Sequence, residues 1–135
     1  MSAAGELAPL VGAIHHVAII CADYERSKRF YVEFLGLRVI RETFRAERRS
    51  WKCDLAVGDA QIELFSFPDP PPRPTQPEAQ GLRHLAFAVR DVTEAVRRLE
   101  DKGIVVEPIR RDELTGRLFT FFADPDGLPL ELYET

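Results

Sequence analysis

Residues 14–21 read Ile14-His15-His16-Val17-Ala18-Ile19-Ile20-Cys21, a short apolar run that contains a histidine pair and is soon followed by Asp23. Such a run predicts a β-strand, and Asp23 is a residue type that caps the start of a helix. A second run of this kind covers residues 82–89 and contains His84. The two runs indicate that the chain repeats one structural unit.

The first half continues with a helix and three strands. Apolar residues after Asp23 follow helical spacing, and Gly36 stands where a glycine commonly ends a helix. Strand-like runs then alternate with charged or turn-forming residues. These three strands are expected at residues 37–44, 51–57 and 61–67.

The second half repeats this order. Asp91 is the predicted cap of a helix, Glu94 is its capping-box partner, and Gly103 ends the helix. Three further strands are expected at residues 104–109, 118–123 and 128–133. The predicted fold class is therefore α+β, with two βαβββ modules in tandem that form a curled mixed sheet.

The segment between the halves contains six prolines within residues 68–77. Proline cannot donate a backbone hydrogen bond, so neither a strand nor a helix interior is expected there. We interpret the segment as a stiff spacer, with a contribution of Arg73 to a lid as the alternative. The predicted division is an N-terminal segment 1–13, a first module 14–67, a linker 68–81 and a second module 82–135, all within one domain.

Composition excludes several classes of partner. The net charge of −4 and a pI near 5.4 argue against nucleic acid, which requires a basic face. No apolar run approaches the roughly 20 residues that span a bilayer, and the N-terminus lacks a signal-peptide pattern. Cys21 and Cys53 form no CxxC motif, which favours two reduced thiols. We expect a cytoplasmic protein without a membrane or nucleic-acid partner.

Each strand histidine is followed by a glutamate at the same distance. His16 and Glu63 are 47 residues apart, and so are His84 and Glu131. Imidazole and carboxylate together are ligands for divalent transition metals. Carboxylates on an inner sheet face need a compensating cation, because an unpaired buried charge is costly. The spacing predicts one metal site with two His and two Glu ligands, from which His15 faces away.

Several motifs resemble the vicinal oxygen chelate superfamily, with the glyoxalase I-like branch as the nearest type. They lie at residues 16–19 (HVAI), 30–37 (FYVEFLGL), 62–64 (IEL), 81–87 (GLRHLAF) and 124–132 (DPDGLPLEL). The resemblance covers the chain from about residue 14 to residue 134. It implies a paired βαβββ fold, a homodimer and the metal ligands His16, Glu63, His84 and Glu131.

The resemblance also implies a reaction. Glyoxalase I-type members move an acidic C–H proton of a metal-bound substrate, and the metal polarises the carbonyl and stabilises the enediolate. Glu131 and Glu63 are the candidate bases, and we choose Glu131. The cofactor is one divalent ion per site, and the sequence does not select among Ni, Co, Mn, Fe and Zn. Because Glu63 adds a fourth ligand, an Fe(II) dioxygenase-like function is only an alternative, as is a metal-containing binding or resistance protein without turnover.

The small-molecule substrate is less defined. Glutathione-dependent members carry an Arg and an Asn at the positions of Ile20 and Phe67, and an apolar pair cannot replace their contacts with glutathione. A thiol adduct of a 2-oxoaldehyde is one possible substrate class. The alternative interpretation is that the arginines lie on a solvated face and that Trp51 is a core residue. The candidate substrate-binding residues are Arg45, Trp51, Lys52, Phe65, Phe67, Arg73 and Arg117.

Overall fold

A computed structural model describes residues 8–135, so residues 1–7 of the predicted N-terminal segment lie outside the described residues. Two four-stranded sheets and two α-helices form the fold, which confirms the predicted α+β class with tandem βαβββ units. The elements are β1 (His16–Cys21), α1 (Tyr24–Arg29, continued by a π-helical turn Phe30–Phe34), β2 (Arg38–Arg45), a 3₁₀ turn (Ala46–Arg48), β3 (Ser50–Val57), β4 (Ala60–Ser66), β5 (Leu85–Val89), α2 (Val92–Asp101), β6 (Arg110–Arg111), β7 (Leu118–Ala123) and β8 (Pro129–Glu134).

The two sheets have the same topology. The strand order is β1-β4-β3-β2 in the first sheet and β5-β8-β7-β6 in the second. In each sheet the first strand pairs in parallel with the last, and the other neighbours are antiparallel. The registers also correspond, because Ala18 lies opposite Glu63 and Ala86 lies opposite Glu131. The repeat seen in the sequence is therefore a repeat in the backbone.

Alternation along the strands gives each sheet a core face and a second face. On β4, Ile62 and Leu64 are buried in the core, and Glu63 between them points to the other side. On β8, Leu130 and Leu132 are buried in the same way and Glu131 points to the other side. We call the two sides that carry these glutamates the ligand faces of the first and second sheet.

Helix α1 begins as the sequence predicts, but its second half changes its hydrogen bonding. The Asp23 carboxylate accepts the backbone N–H of Arg26 at 3.1 Å, which satisfies one free donor of the first turn. From Phe30 the chain widens into a π-helical turn, whose closing bond runs from the Leu35 N–H to the Phe30 carbonyl at 3.0 Å. Gly36 ends the helix with a positive φ of 76°, which glycine adopts without strain.

Helix α2 has half of the predicted capping box. The Asp91 carboxylate accepts the N–H of Glu94 at 3.0 Å, as expected for the cap residue. The Glu94 carboxylate does not return to the cap; it accepts two hydrogen bonds from Arg97, at 2.6 and 3.0 Å. Arg97 lies one turn further along the same helix, so a charged partner has replaced the backbone donor.

The strand predicted at residues 104–109 is wrong, because β6 contains only Arg110–Arg111. Pro108 has no N–H to donate to a ladder. The Glu107 N–H instead donates to the Phe121 carbonyl at 2.9 Å, and the Thr120 hydroxyl donates to the Glu107 carbonyl at 2.7 Å. A side-chain bond thus replaces regular pairing at this sheet edge.

The two halves share one core. The buried Tyr31 hydroxyl donates to the Asp124 carboxylate across the halves at 2.7 Å. The rings of Phe30 and Phe122 pack with their centroids 6.2 Å apart. A third contact runs from the Ala22 N–H to the Asp126 carboxylate at 3.2 Å. Together these contacts fix the first sheet relative to the second.

The Pro-rich segment between β4 and β5 contains no helix or strand. Arg73 binds within this segment and to its end, donating to the Thr75 hydroxyl at 2.9 Å and to the Leu82 carbonyl at 3.3 Å. Cys21 and Cys53 are buried free thiols. No helix within residues 8–135 has the length and apolar character that crossing a membrane requires.

Candidate metal centre

The first His–Glu pair lies on the ligand face of the first sheet. The His16 Nδ1 atom is 3.5 Å from the Glu63 Oε2 atom, because β1 and β4 are adjacent parallel strands. The Glu63 side chain is 14 % exposed and that of His16 is 41 % exposed. The Lys52 ammonium lies 3.8 Å from the same Glu63 oxygen, so this carboxylate has a cation beside it.

The sequence analysis placed His15 on the face opposite the site, but in the structure His15 contacts His16. Its Nδ1 atom is 2.9 Å from the Nδ1 atom of His16, and the two rings meet edge to face. The strand begins only at His16, so strict alternation does not apply to its neighbour. One ring nitrogen must donate and the other accept, which orients the His16 imidazole and leaves its Nε2 atom for another ligand.

The second pair lies on the ligand face of the second sheet. The His84 Nε2 atom is 3.0 Å from the Glu131 Oε1 atom. His84 precedes β5 by one residue, and its ring packs edge to face on Phe121 with centroids 5.0 Å apart. Glu131 is 12 % exposed, and no Lys or Arg nitrogen of residues 8–135 lies within 4.0 Å of it. A largely desolvated carboxylate with an imidazole and no Lys or Arg beside it suits a cation.

The pairs do not meet within one chain. In the part of the chain that the structure describes, no group of three or more His, Cys, Asp or Glu side chains is placed to hold a metal ion. Each sheet therefore presents one imidazole and one carboxylate, which is half of the predicted ligand set. The donors of each half-set suit a divalent transition metal, and a second half-set is needed to complete four protein ligands.

Four predicted substrate-binding residues share the first ligand face. Phe65 and Phe67 stack with centroids 5.9 Å apart, on the same side of β4 as Glu63. The Arg45 Cζ atom lies 4.8 Å from the Phe65 ring centre and 5.6 Å from that of Phe67. The Lys52 ammonium lies 6.0 Å from the Phe65 ring centre. Along the chain, Glu63 is therefore followed by two stacked phenylalanine rings, and the side chains of Arg45 and Lys52 lie near them.

Trp51, Arg117 and Arg73 lie elsewhere. Trp51 stacks on Tyr24 of α1 with centroids 5.5 Å apart, because the residue before Lys52 on β3 points to the opposite face. Arg117 is exposed and donates to the Glu134 carbonyl at 3.3 Å. Arg73 reaches a cavity at the second sheet. The structure therefore places Trp51 and Arg117 away from the first pair.

That cavity reveals residues which the sequence analysis did not select. It has a volume of about 530 Å³, within the size range of small-molecule sites, and it contacts both His84 and Glu131. Phe119 and Phe121 form part of its wall, and Arg110 lies 5.2 and 5.6 Å from their ring centres. Alternation along β7 could have indicated these two phenylalanines, because Phe121 lies opposite Glu131 in the register and Phe119 points to the same face.

Comparison with known families identifies the fold. Residues 13–132 match the Glyoxalase/Bleomycin resistance protein/Dioxygenase superfamily. The chain belongs to this superfamily. The resemblance to vicinal oxygen chelate proteins, based on the five motifs, is thereby confirmed.

Similar members of the superfamily cover nearly the same length. The uncharacterized protein YwkD of Bacillus subtilis is 64 % identical over 126 residues, which is 93 % of this chain and 98 % of that protein. A glyoxalase family protein from Enterococcus faecalis has a solved structure with 51 % identity and a TM-score of 0.84, covering 90 % of this chain and 97 % of its own. A lactoylglutathione lyase from Agrobacterium tumefaciens, 23 % identical over 93 % of this chain and 96 % of its own, has a TM-score of 0.71 and shows the shared fold alone.

Proposed function

We propose that this chain is a divalent-metal-dependent lyase or isomerase of glyoxalase I type, active as a homodimer. His16 and Glu63 of one subunit would bind the metal with His84 and Glu131 of the partner subunit, giving two equivalent centres. The observation that carries this proposal is the presence of two matched His–Glu contacts, at 3.5 and 3.0 Å, on corresponding faces of separate sheets.

The dimer follows from the ligand count. One half-set offers only two protein ligands, and binding sites with four ligands need both halves. Within the described residues the two His–Glu pairs of one chain form no common metal-binding group, and the shared core, including the Tyr31–Asp124 bond, fixes the two sheets that carry them. Two copies related by a two-fold axis can bring unlike halves together, and such symmetry is the commonest in oligomers.

The surroundings of the two glutamates favour different roles. When bound, the divalent ion would polarise a carbonyl oxygen of the substrate and make the neighbouring C–H more acidic. Lys52 holds the Glu63 carboxylate through a contact of 3.8 Å. Glu131 contacts His84 and has no Lys or Arg nitrogen of residues 8–135 within 4.0 Å, and it lies at the wall of the 530 Å³ cavity. Glu131 is therefore the group we propose to take the proton and return it to the adjacent carbon.

The substrate is a small molecule with neighbouring carbonyl and hydroxyl oxygens. Ile20 is 54 % exposed on the first ligand face and Phe67 stacks on Phe65, so neither position offers a polar contact for glutathione. A thiol adduct of a 2-oxoaldehyde remains one candidate, with other recognition contacts.

The test separates metal binding from proton transfer. Purified protein is analysed for metal content and reconstituted with Ni, Co, Mn, Fe or Zn. Exchange of the substrate C–H proton for deuterium is then followed by NMR in D₂O with a panel of 2-hydroxycarbonyl compounds and thiol hemiacetals. We expect one metal ion per subunit and exchange with at least one metal.

Variants assign the roles. Glu63→Gln should lower metal affinity by more than about 100-fold, because losing a residue that only hydrogen-bonds to a metal ligand already costs up to about that much. Glu131→Gln should abolish exchange. Glu100→Gln on the exposed side of α2 removes the same charge away from the site and serves as the control. Unchanged metal content and exchange in both site variants would contradict the site, whereas metal and ligand binding without any exchange would favour a binding or resistance protein.

A further inference from the structure

Arg45 occupies an unusual environment at the end of β2. Its guanidinium lies over Phe65 and Phe67, 4.8 and 5.6 Å from their ring centres. One terminal nitrogen donates to the Ser50 hydroxyl at 2.9 Å. Cation–π contact with two rings holds the planar group in one orientation, with little freedom left to lose on binding a ligand.

Within the part of the chain that the structure describes, the positive charge of Arg45 has no counter-charge. No Asp or Glu oxygen of residues 8–135 lies within 4.0 Å of its nitrogens, and its Nε atom is buried without a hydrogen-bond partner. A ligand cannot reach this buried Nε atom, so an anion would have to be bound by the terminal nitrogens of Arg45.

Two other cations on the ligand faces differ from Arg45 in this respect. Arg110 also lies over two phenylalanine rings, but Glu107 accepts from it at 2.9 Å. Lys52 lies 2.8 Å from Asp54 and 3.8 Å from Glu63. Both are therefore neutralised by the protein, and Arg45 is left with its charge available to a ligand.

The position of Arg45 relates it to the candidate metal centre. Phe65 follows Glu63 by two residues on β4, a distance of about 7 Å along a strand, and both side chains point to the same face. This is the separation between the two ends of a small molecule of four to six carbons. A substrate whose oxygens bind a metal ion held by Glu63 would therefore reach the guanidinium with its other end.

We propose that Arg45 is a substrate-binding residue that takes a distal oxyanion, either carboxylate or phosphate, and thereby selects anionic substrates. The proposal rests on the proposed function for the location of the reacting end. The terminal N–H groups of Arg45 donate to the oxyanion, and contact with the Phe65 and Phe67 rings keeps the guanidinium in position. An arginine fork fits both oxyanions, since each offers two oxygens in its plane.

Calorimetric titration of the metal-loaded dimer tests this inference. Three probes share a 2-hydroxycarboxylate end: 2-hydroxybutyrate has no distal charge, 2-hydroxyglutarate has a distal carboxylate, and 3-phosphoglycerate has a distal phosphate. We expect at least one distal anion to lower the Kd by about 10- to 100-fold relative to 2-hydroxybutyrate, the range for charge-assisted hydrogen bonds. The anion that gives the gain identifies the substrate class.

Variants connect the gain to Arg45. Arg45→Gln should remove the gain, Arg45→Lys should restore part of it, and Arg98→Gln should leave it intact, because Arg98 is exposed on α2. Thermal unfolding verifies that each variant is folded. Equal Kd values for the three probes in the native protein, or an undiminished gain in folded Arg45→Gln, would overturn the inference.

The two proposals fail in different ways. Metal content and deuterium exchange report on the proposed function and do not require a distal anion. Exchange without any distal-anion gain refutes only the role of Arg45, and a gain without exchange refutes only the reaction.

Discussion

Replacing Tyr31 by Phe removes one hydroxyl from the contact between the two halves of the chain. Tyr31 is fully buried, and its hydroxyl donates to the Asp124 carboxylate at 2.7 Å. Asp124 is 5 % exposed and also accepts the N–H groups of Asp126 and Leu128, at 2.8 and 2.9 Å. The substitution therefore leaves a buried carboxylate with two donors instead of three, and it opens no large cavity.

The size of the effect follows from these contacts. A hydrogen bond to a charged group contributes roughly 1.5–3 kcal/mol. Since two backbone donors of Asp124 remain, we expect a loss of about 2 kcal/mol in the free energy of unfolding. For a chain of this length, that loss lowers the Tm by about 6 °C. Burial raises the pKa of Tyr31, so the hydroxyl stays protonated and the difference between native and variant protein persists from pH 6 to pH 9.

The assay is urea and thermal unfolding followed by circular dichroism. Tyr133→Phe is the matched control, because its hydroxyl also donates to an aspartate, Asp112, at 2.9 Å, but both residues are only half-buried. We expect the control to lose less than about 1 kcal/mol. Equal losses in the two variants, or a loss below about 0.5 kcal/mol for Tyr31→Phe, would refute the argument that the buried contact couples the halves.

Three further predictions concern pH, thiol reactivity and the metal. Hydrogen bonds from Lys28 and Tyr24 hold the pKa of Glu42 below its usual value. The stability that this carboxylate contributes is complete above the unfolded pKa of about 4.3 and is lost as the pH falls below it. Between pH 3 and pH 5 the free energy of unfolding in urea should therefore change by about 1 kcal/mol less in Glu42→Gln than in the native protein. Burial raises the pKa of the Cys21 thiol to about 11, so iodoacetamide at pH 8 should label it far faster in urea than in the native state, and equal rates would contradict this. Chelation of the metal should lower the Tm by roughly 5–10 °C, and an unchanged Tm after chelation would contradict a metal bound to the folded protein.

Local pattern predicted the sheet faces well. Strict alternation is a geometric property of strands, so the sequence placed Glu63, Phe65 and Phe67 on one side of β4, where the structure has them. The repeated spacing of 47 residues likewise reflects a repeated backbone, and each histidine lies beside its glutamate. Their role as metal ligands stays a prediction, as do the module boundaries.

Tertiary arrangement could not be predicted in this way. The pattern of each half describes its own sheet but not the contacts between halves, so the sequence predicted four ligands without deciding whether one chain or two would complete the set. The structure presents two half-sets in one chain. The strand predicted at residues 104–109 is wrong because apolar residues there suggested strand pairing, whereas Pro108 and the Thr120 hydroxyl determine the hydrogen bonds. His15 was misplaced because alternation was extended past the first residue of β1.

The separation of the two His–Glu pairs has a consequence for mixtures of defective subunits. In the dimer that we propose, a chain with both first-sheet ligands replaced and a chain with both second-sheet ligands replaced would each be inactive alone, since every centre in either homodimer would lack a pair. In the mixed dimer one centre receives both defects and the other receives none. The proposed dimer therefore predicts complementation between two inactive variants, and random pairing of equal amounts would restore about a quarter of the native centres.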